Sequence, residues 1–184
     1  MNDFLPTDYE VPQKSGNYMK FQDGENKFRF LSSPILGWET WEEAGDGSRK
    51  PKRNPMNKPF SVNEVEDGDP TKVKHFWAAV VWNYNEEKIQ ILEITQKGIQ
   101  KSLRALSASK DWGSPLDYDI LVTKTGQKLE TEYQVNPVPP RELDKGVKQL
   151  YKDMKIDLEA LFKGDDPFAD KSEEVNLDDV PDNL

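Results

Sequence analysis

The chain has no cysteine, and His75 is its single histidine. Disulfides and thiolate metal sites are therefore excluded, and an ordinary zinc site has too few ligands to form. No apolar run approaches the roughly 18 residues that a membrane-crossing helix needs. The N-terminal MNDFLPTDYEVPQ carries acids and prolines where a signal peptide would carry a basic and then an apolar stretch. These absences predict a soluble protein of a reducing, cytoplasmic compartment, with no membrane partner. The motifs of common catalysts are missing as well: no Walker-type loop, no GxSxG, no HExxH. The acid-rich GDGS and EDGDP stretches lack the spacing of a calcium loop. Glu39, Glu93, Asp119 and Glu132 fall on expected strands, but no spacing groups them as a metal-dependent nuclease would require. The expectation is a protein without turnover, metal or cofactor.

What is present is charge, and it is sorted along the chain. The net charge of −9 over 184 residues looks at first unfavourable for nucleic acid. Residues 164–184 hold eight acids against Lys171, whereas residues 1–163 are nearly balanced at −2. Most of the acidity thus belongs to a polar C-terminal tail, with Asp165, Asp166 and Phe168 near its start and Asp178, Asp179 and Leu184 near its end. Such a composition reads as disordered. Residues 1–17, polar and proline-bearing, read as an extended arm, which leaves a body of residues 18–163.

Within the body, KFRFL (27–31) alternates, with Phe28 and Phe30 on one face and Lys27 and Arg29 on the other. ILGWETW (35–41) is a second strand. A long irregular stretch, about 42–70, is rich in Gly, Pro and Asn, and a loop of that length in a compact domain is usually functional or disordered. HFWAAVVWN (75–83) and KIQILEI (88–94) form a hairpin across NYNEE. Thr95 is placed to cap a helix over 96–107 with Ile99, Leu103 and Leu106 buried. A second hairpin, 118–124 and 130–136, turns at Gly126, and helical spacing follows at Leu143, Val147, Leu150 and Tyr151, then at Leu158, Leu161 and Phe162. The order predicts a mainly-β fold with a few helices: a five- or six-stranded barrel of OB type with one inserted helix and helices at its end. A split α+β sheet is the rival arrangement.

The binding signals lie around the long loop. SRKPKRNPMNKPFSVN (48–63) holds Arg49, Lys50, Lys52, Arg53 and Lys58 and no acid until Glu64. Trp38, Trp41, Phe76, Trp77, Trp82 and Tyr84 border it on strands. A cationic track for phosphates beside flat side chains for bases is what single-stranded nucleic acid requires. Lys97, Lys101 and Arg104 add a basic stripe to the expected helix, opposite its apolar face. The alternatives are core aromatics with a solvated basic loop, hence a structural or interaction protein with a solubilising tail, and a metal-dependent nuclease or resolvase.

KFRFL, HFWAAVV and the helix after KIQILEI, taken in this order, resemble the single-stranded DNA-binding proteins of tailed bacteriophages, including the helix-destabilising type of the T-even phages. The resemblance covers roughly residues 18–137. It implies an OB-fold, sequence-independent binding of single-stranded DNA in replication, recombination and repair, and a groove lined by Arg29 and Phe76. The T-even type has a Cys/His zinc site in its long loop; SRKPKRNPMNKPF has none of those ligands, so no metal is carried over. The acidic tail also fits the pattern of replicative single-strand binders, in which it competes with DNA and recruits replication and recombination proteins. DDVP at Asp178–Pro181 and DDPF at Asp165–Phe168 both approximate the docking tip of such tails.

Overall fold

The computed structural model describes residues 16–168. The N-terminal arm except Gly16 and Asn17, and the tail beyond Phe168 with Asp178, Asp179 and Leu184, lie outside the described residues. Eight strands and two α-helices are described: β1 (Tyr18–Met19), β2 (Gly24–Phe30), β3 (Ile35–Glu43), β4 (Arg49–Pro55), β5 (Lys74–Asn83), β6 (Lys88–Ile94), α1 (Lys97–Ala108), β7 (Ile120–Thr125), β8 (Glu132–Pro137) and α2 (Lys145–Met154).

The alternation of β2 holds, with Phe28 and Phe30 buried in the main core. β5 is apolar on both faces because both are covered. Ala79 and Val81 join that core, while Phe76 and Ala78 belong to a second cluster. α1 lays Ile99 and Leu103 on the main core, with Leu106 half-buried at its edge. Its N-cap is Gln96 rather than Thr95.

The sheet runs β1-β6-β5-β2-β7-β8, and β3 branches from β5, carrying β4. The branch arises because β5 is long: its first half pairs with β3 (Gly37 with Phe76) and its second with β2 (Arg29 with Trp82). The mainly-β expectation with few helices is met. The strand count and closure differ from the expected barrel, since the eight described strands form an open six-strand path with β3 and β4 as a branch. β4 appears where a loop was expected, and β1 adds a short parallel strand to β6. Pro51 and Pro55 hide β4 in the sequence. Proline is tolerated there because, among the described residues, β4 pairs only with β3 and is an edge strand.

Two glycines are dictated by geometry. A Cβ on Gly126, at φ +77°, would lie 2.2 Å from the Glu130 carbonyl oxygen in the β7–β8 turn. A Cβ on Gly37 would lie 2.3 Å from the Asn54 carbonyl oxygen and 2.9 Å from the Phe76 ring.

The end of the body folds back over the sheet. Asp144 caps α2 through the Gly146 and Val147 N–H groups. Leu161, Phe162 and Phe168 then pack on Phe76 and Ala78, and the Pro167 carbonyl accepts a hydrogen bond from the Asp157 N–H at 2.9 Å. The first tail residues, through Phe168, are thus part of the packed body.

Candidate nucleic-acid interface

The outward face of β2 and β5 converges on one carboxylate. Arg29 and Trp82 are register partners, which places Lys27, Arg29, Trp82 and Tyr84 on a common face. Asp119, fully buried just before β7, sits beneath them. Its Oδ1 accepts from Arg29 Nε and from the Tyr84 hydroxyl, both at 2.8 Å. Its Oδ2 accepts from Arg141 Nε at 3.0 Å and Nη2 at 2.8 Å, with Lys27 Nζ at 3.8 Å. Three cations on one carboxylate leave positive charge in excess. Arg29 is 2% exposed and is also held by the Arg141 and Leu116 carbonyls. The exposed cations of the group are Arg141 and, in part, Lys27, whose ammonium lies 4.8 Å from the centre of the Tyr84 ring.

A cleft of about 610 Å³ opens beside this hub, between the end of β2, the segment after β8 and α2. Arg29 forms its floor, and Arg141, Lys148 and Tyr151 form its walls. Asp117 and Glu142 line it too. It offers cationic groups for phosphates and a tyrosine beside them.

The basic stretch expected to be a mobile loop is an ordered strand whose cations largely meet the protein's own acids. Arg49 pairs with Glu66 at 2.9 Å, and Lys52 lies 4.0 Å from Glu64. Arg53, only 10% exposed, bridges Glu39 at 2.9 Å and Glu93 at 2.8 Å. Lys50 and Lys58 are exposed and have no such partner among the described residues. The segment after β4 folds as three short 3-10 turns on Val65, with the Trp38 indole donating to the Met56 carbonyl at 3.2 Å.

Strand pairing therefore groups two acids that no sequence spacing connects. Glu39 and Glu93 share Arg53 beneath the C-terminal segment, with the Arg53 guanidinium 5.8 Å from the Phe76 ring centre. Burial pushes the Glu93 carboxyl up to about 8, with Glu39 adding to the shift and Arg53 opposing it. The value exceeds the ordinary 4.5, so the folded protein holds a proton that the unfolded chain releases. Stability contributed by this group is complete below about pH 4.5 and is lost as pH rises through about 8. Thermal melts between pH 5.5 and 8.5 should show the loss, and Glu93→Gln should flatten that part of the curve. An unchanged slope in the variant would assign the pH dependence to other groups.

The sequence-predicted residues thus fall into separate sets. Arg29, Trp82 and Tyr84 share the hub face. Trp38, Trp41, Arg49, Lys50, Lys52 and Arg53 lie on the β3–β4 hairpin, with Trp41 44% exposed and its indole donating to Glu39. Phe76, expected to line a groove, is 0% exposed because the C-terminal segment covers it. Arg29 is likewise buried rather than open, because Asp119 claims its guanidinium. Lys101 and Arg104 are exposed on α1, and neither lines the Asp119 cleft. Asp165 and Asp166 are exposed, and Phe168 packs on the second cluster. Sequence reasoning missed Arg141, Lys148 and Tyr151. Arg141 lies 112 positions from Arg29, and no local pattern announces the meeting.

No group of three or more His, Cys, Asp or Glu side chains placed to hold a metal occurs among the described residues, and no described helix is long and apolar enough to cross a membrane. No family model matches the chain, and no solved structure matches it. The chain is similar to a probable ssDNA-binding protein of Escherichia phage T5, 26% identical over 144 residues that cover 66% of this chain and 54% of that relative. The chain thus spans about half the length of the curated relative it matches.

Proposed function

We propose that the protein binds single-stranded DNA without sequence specificity, as a phage-type, OB-like binder acting in replication, recombination and repair, and that it is not an enzyme. The observation that carries this reading is the cleft in which Arg141 and Lys148 stand beside Tyr151 and the Asp119 hub. Cations supply a phosphate track and aromatics a sequence-tolerant stacking surface. The similarity to the phage T5 protein supports the same ligand. The acidic tail acts as a tethered polyanion that competes for the cleft and recruits replication and recombination proteins. Tethering gives it an effective concentration of order mM.

The test is a titration of oligothymidylate at several salt concentrations, read by tryptophan fluorescence. Binding should be tight at low salt and weaken as salt rises. A flat titration at low salt would end the proposal. The packing of Phe168 sets where the tail should be cut: a chain ending at Phe168 keeps the second cluster intact. Residues 169–184 carry six acids against Lys171, so this truncation should bind several-fold more tightly at low salt, with the gain shrinking as salt rises. Equal affinities would mean that the tail does not compete.

A further inference from the structure

Next to the Asp119 cleft, and sharing Phe30 and Leu116 with it, lies a second cavity of about 380 Å³. The last turns of α1, the turn between β2 and β3, and residues 114–116 enclose it. Its lining is mostly apolar and includes Leu36 and Leu116, two of the large apolar side chains the body leaves exposed, at 42% and 39%. One wall is the Trp77 indole, held in place rather than free to rotate. Its Nε1–H donates to His75 Nε2 at 3.1 Å, and the opposite ring nitrogen of His75 lies 2.8 Å from the Gly37 carbonyl. An indole can only donate, so His75 Nε2 accepts and Nδ1 carries the proton toward Gly37. Arg104 stands in the lining, exposed and with no acidic partner among the described residues.

We infer that this cavity receives one unstacked nucleobase of the bound strand, with Arg104 on an adjoining phosphate and the strand continuing into the Asp119 cleft. The inference rests on the single-strand binding proposed above. A fixed aromatic wall, apolar sides and a cation set in them match the two halves of a nucleotide, and an anionic backbone is the complement of an unpaired arginine. Hydroxyl groups supply edge contacts. Ser32 Oγ accepts from the Val80 N–H at 2.9 Å and Ser114 Oγ from the Leu116 N–H at 3.2 Å, which leaves each hydroxyl proton free for a base carbonyl.

The experiment compares oligothymidylate with an abasic deoxyribose-phosphate oligomer of the same length, on the full chain and three variants. Ser107→Phe and Ala108→Phe, at exposed positions on the last turn of α1, each place a ring in the cavity without touching Asp119 or its partners. Each should lower affinity for oligothymidylate by about tenfold, the loss of one stacked base, and leave the abasic oligomer unchanged. Arg104→Gln should weaken both oligomers. Unchanged thymidylate affinity in both phenylalanine variants, or equal weakening of both oligomers, overturns the base pocket while leaving single-strand binding standing. Failure of the unaltered chain to bind either oligomer removes both readings. A synthetic peptide of residues 169–184 is the competing occupant. If it binds the intact chain, loses affinity in the phenylalanine variants, and thymidylate binding does not change, the cavity is a docking site for the tail instead.

Discussion

Asp119→Asn is expected to destabilise the protein by about 3–5 kcal/mol, the range for removing one partner of a buried ion pair. In a chain of this size that is a fall in melting temperature of about 10 °C. The reason lies in Arg29, which is 2% exposed and has Asp119 as its single anionic contact among the described residues. Without the carboxylate its charge stays in the protein with only the Arg141 and Leu116 carbonyls as acceptors. The loss should also spread, because Tyr84 and Arg141 are positioned by the same two oxygens. Pairing the change with Arg29→Met, an apolar side chain of similar length, should recover much of the stability, since an uncompensated charge costs more than a missing pair. Urea denaturation of the single and double variants gives both values. If Asp119→Asn melts within a degree or two of the parent, the carboxylate is not the keystone of this face.

The two hairpins and α1 were legible because they are local. KFRFL carries its faces in its own alternation, HFWAAVVWN reads as a strand from its unbroken apolar run, and Ile99 and Leu103 mark the buried stripe of α1. β4 was not legible, because an edge position overrides the signal that Pro51 and Pro55 give, and nothing in RKPKRNP says that it is an edge. The roles of the basic residues were the least legible. A cation's function depends on whether an acid faces it, and the acids come from elsewhere: Glu93 lies 40 positions from Arg53, and Asp119 lies 90 from Arg29. Phe168 shows the same effect in the tail. Composition assigns it to a polar segment, yet the open face of Phe76 and Ala78 holds it against the body.

These pairings move the expected DNA track from the β3–β4 hairpin to the cleft, and substitutions can separate the two. Arg104→Gln, Arg141→Gln and Lys148→Gln together should lower oligothymidylate affinity by about 100-fold or more at 50 mM salt. They should also reduce the slope of log affinity against log salt by about 2, at roughly 0.7 per phosphate contact on a single strand. The loss should shrink as salt rises, because what is removed is counterion release. Arg49→Gln and Lys50→Gln together should change the slope far less. The Arg49 guanidinium is neutralised one-to-one by Glu66 at 2.9 Å and must break that pair before it can release a counterion from DNA, whereas Arg141 shares the single Asp119 carboxylate with Arg29 and Lys27 and so keeps charge for a phosphate. Lys50 remains the one member of that pair of variants with no acid facing it among the described residues. A larger slope change for the hairpin pair than for the triple, two of it in the cleft and Arg104 in the adjoining cavity, would return the track to the hairpin and make Trp41, 44% exposed beside it, the stacking surface.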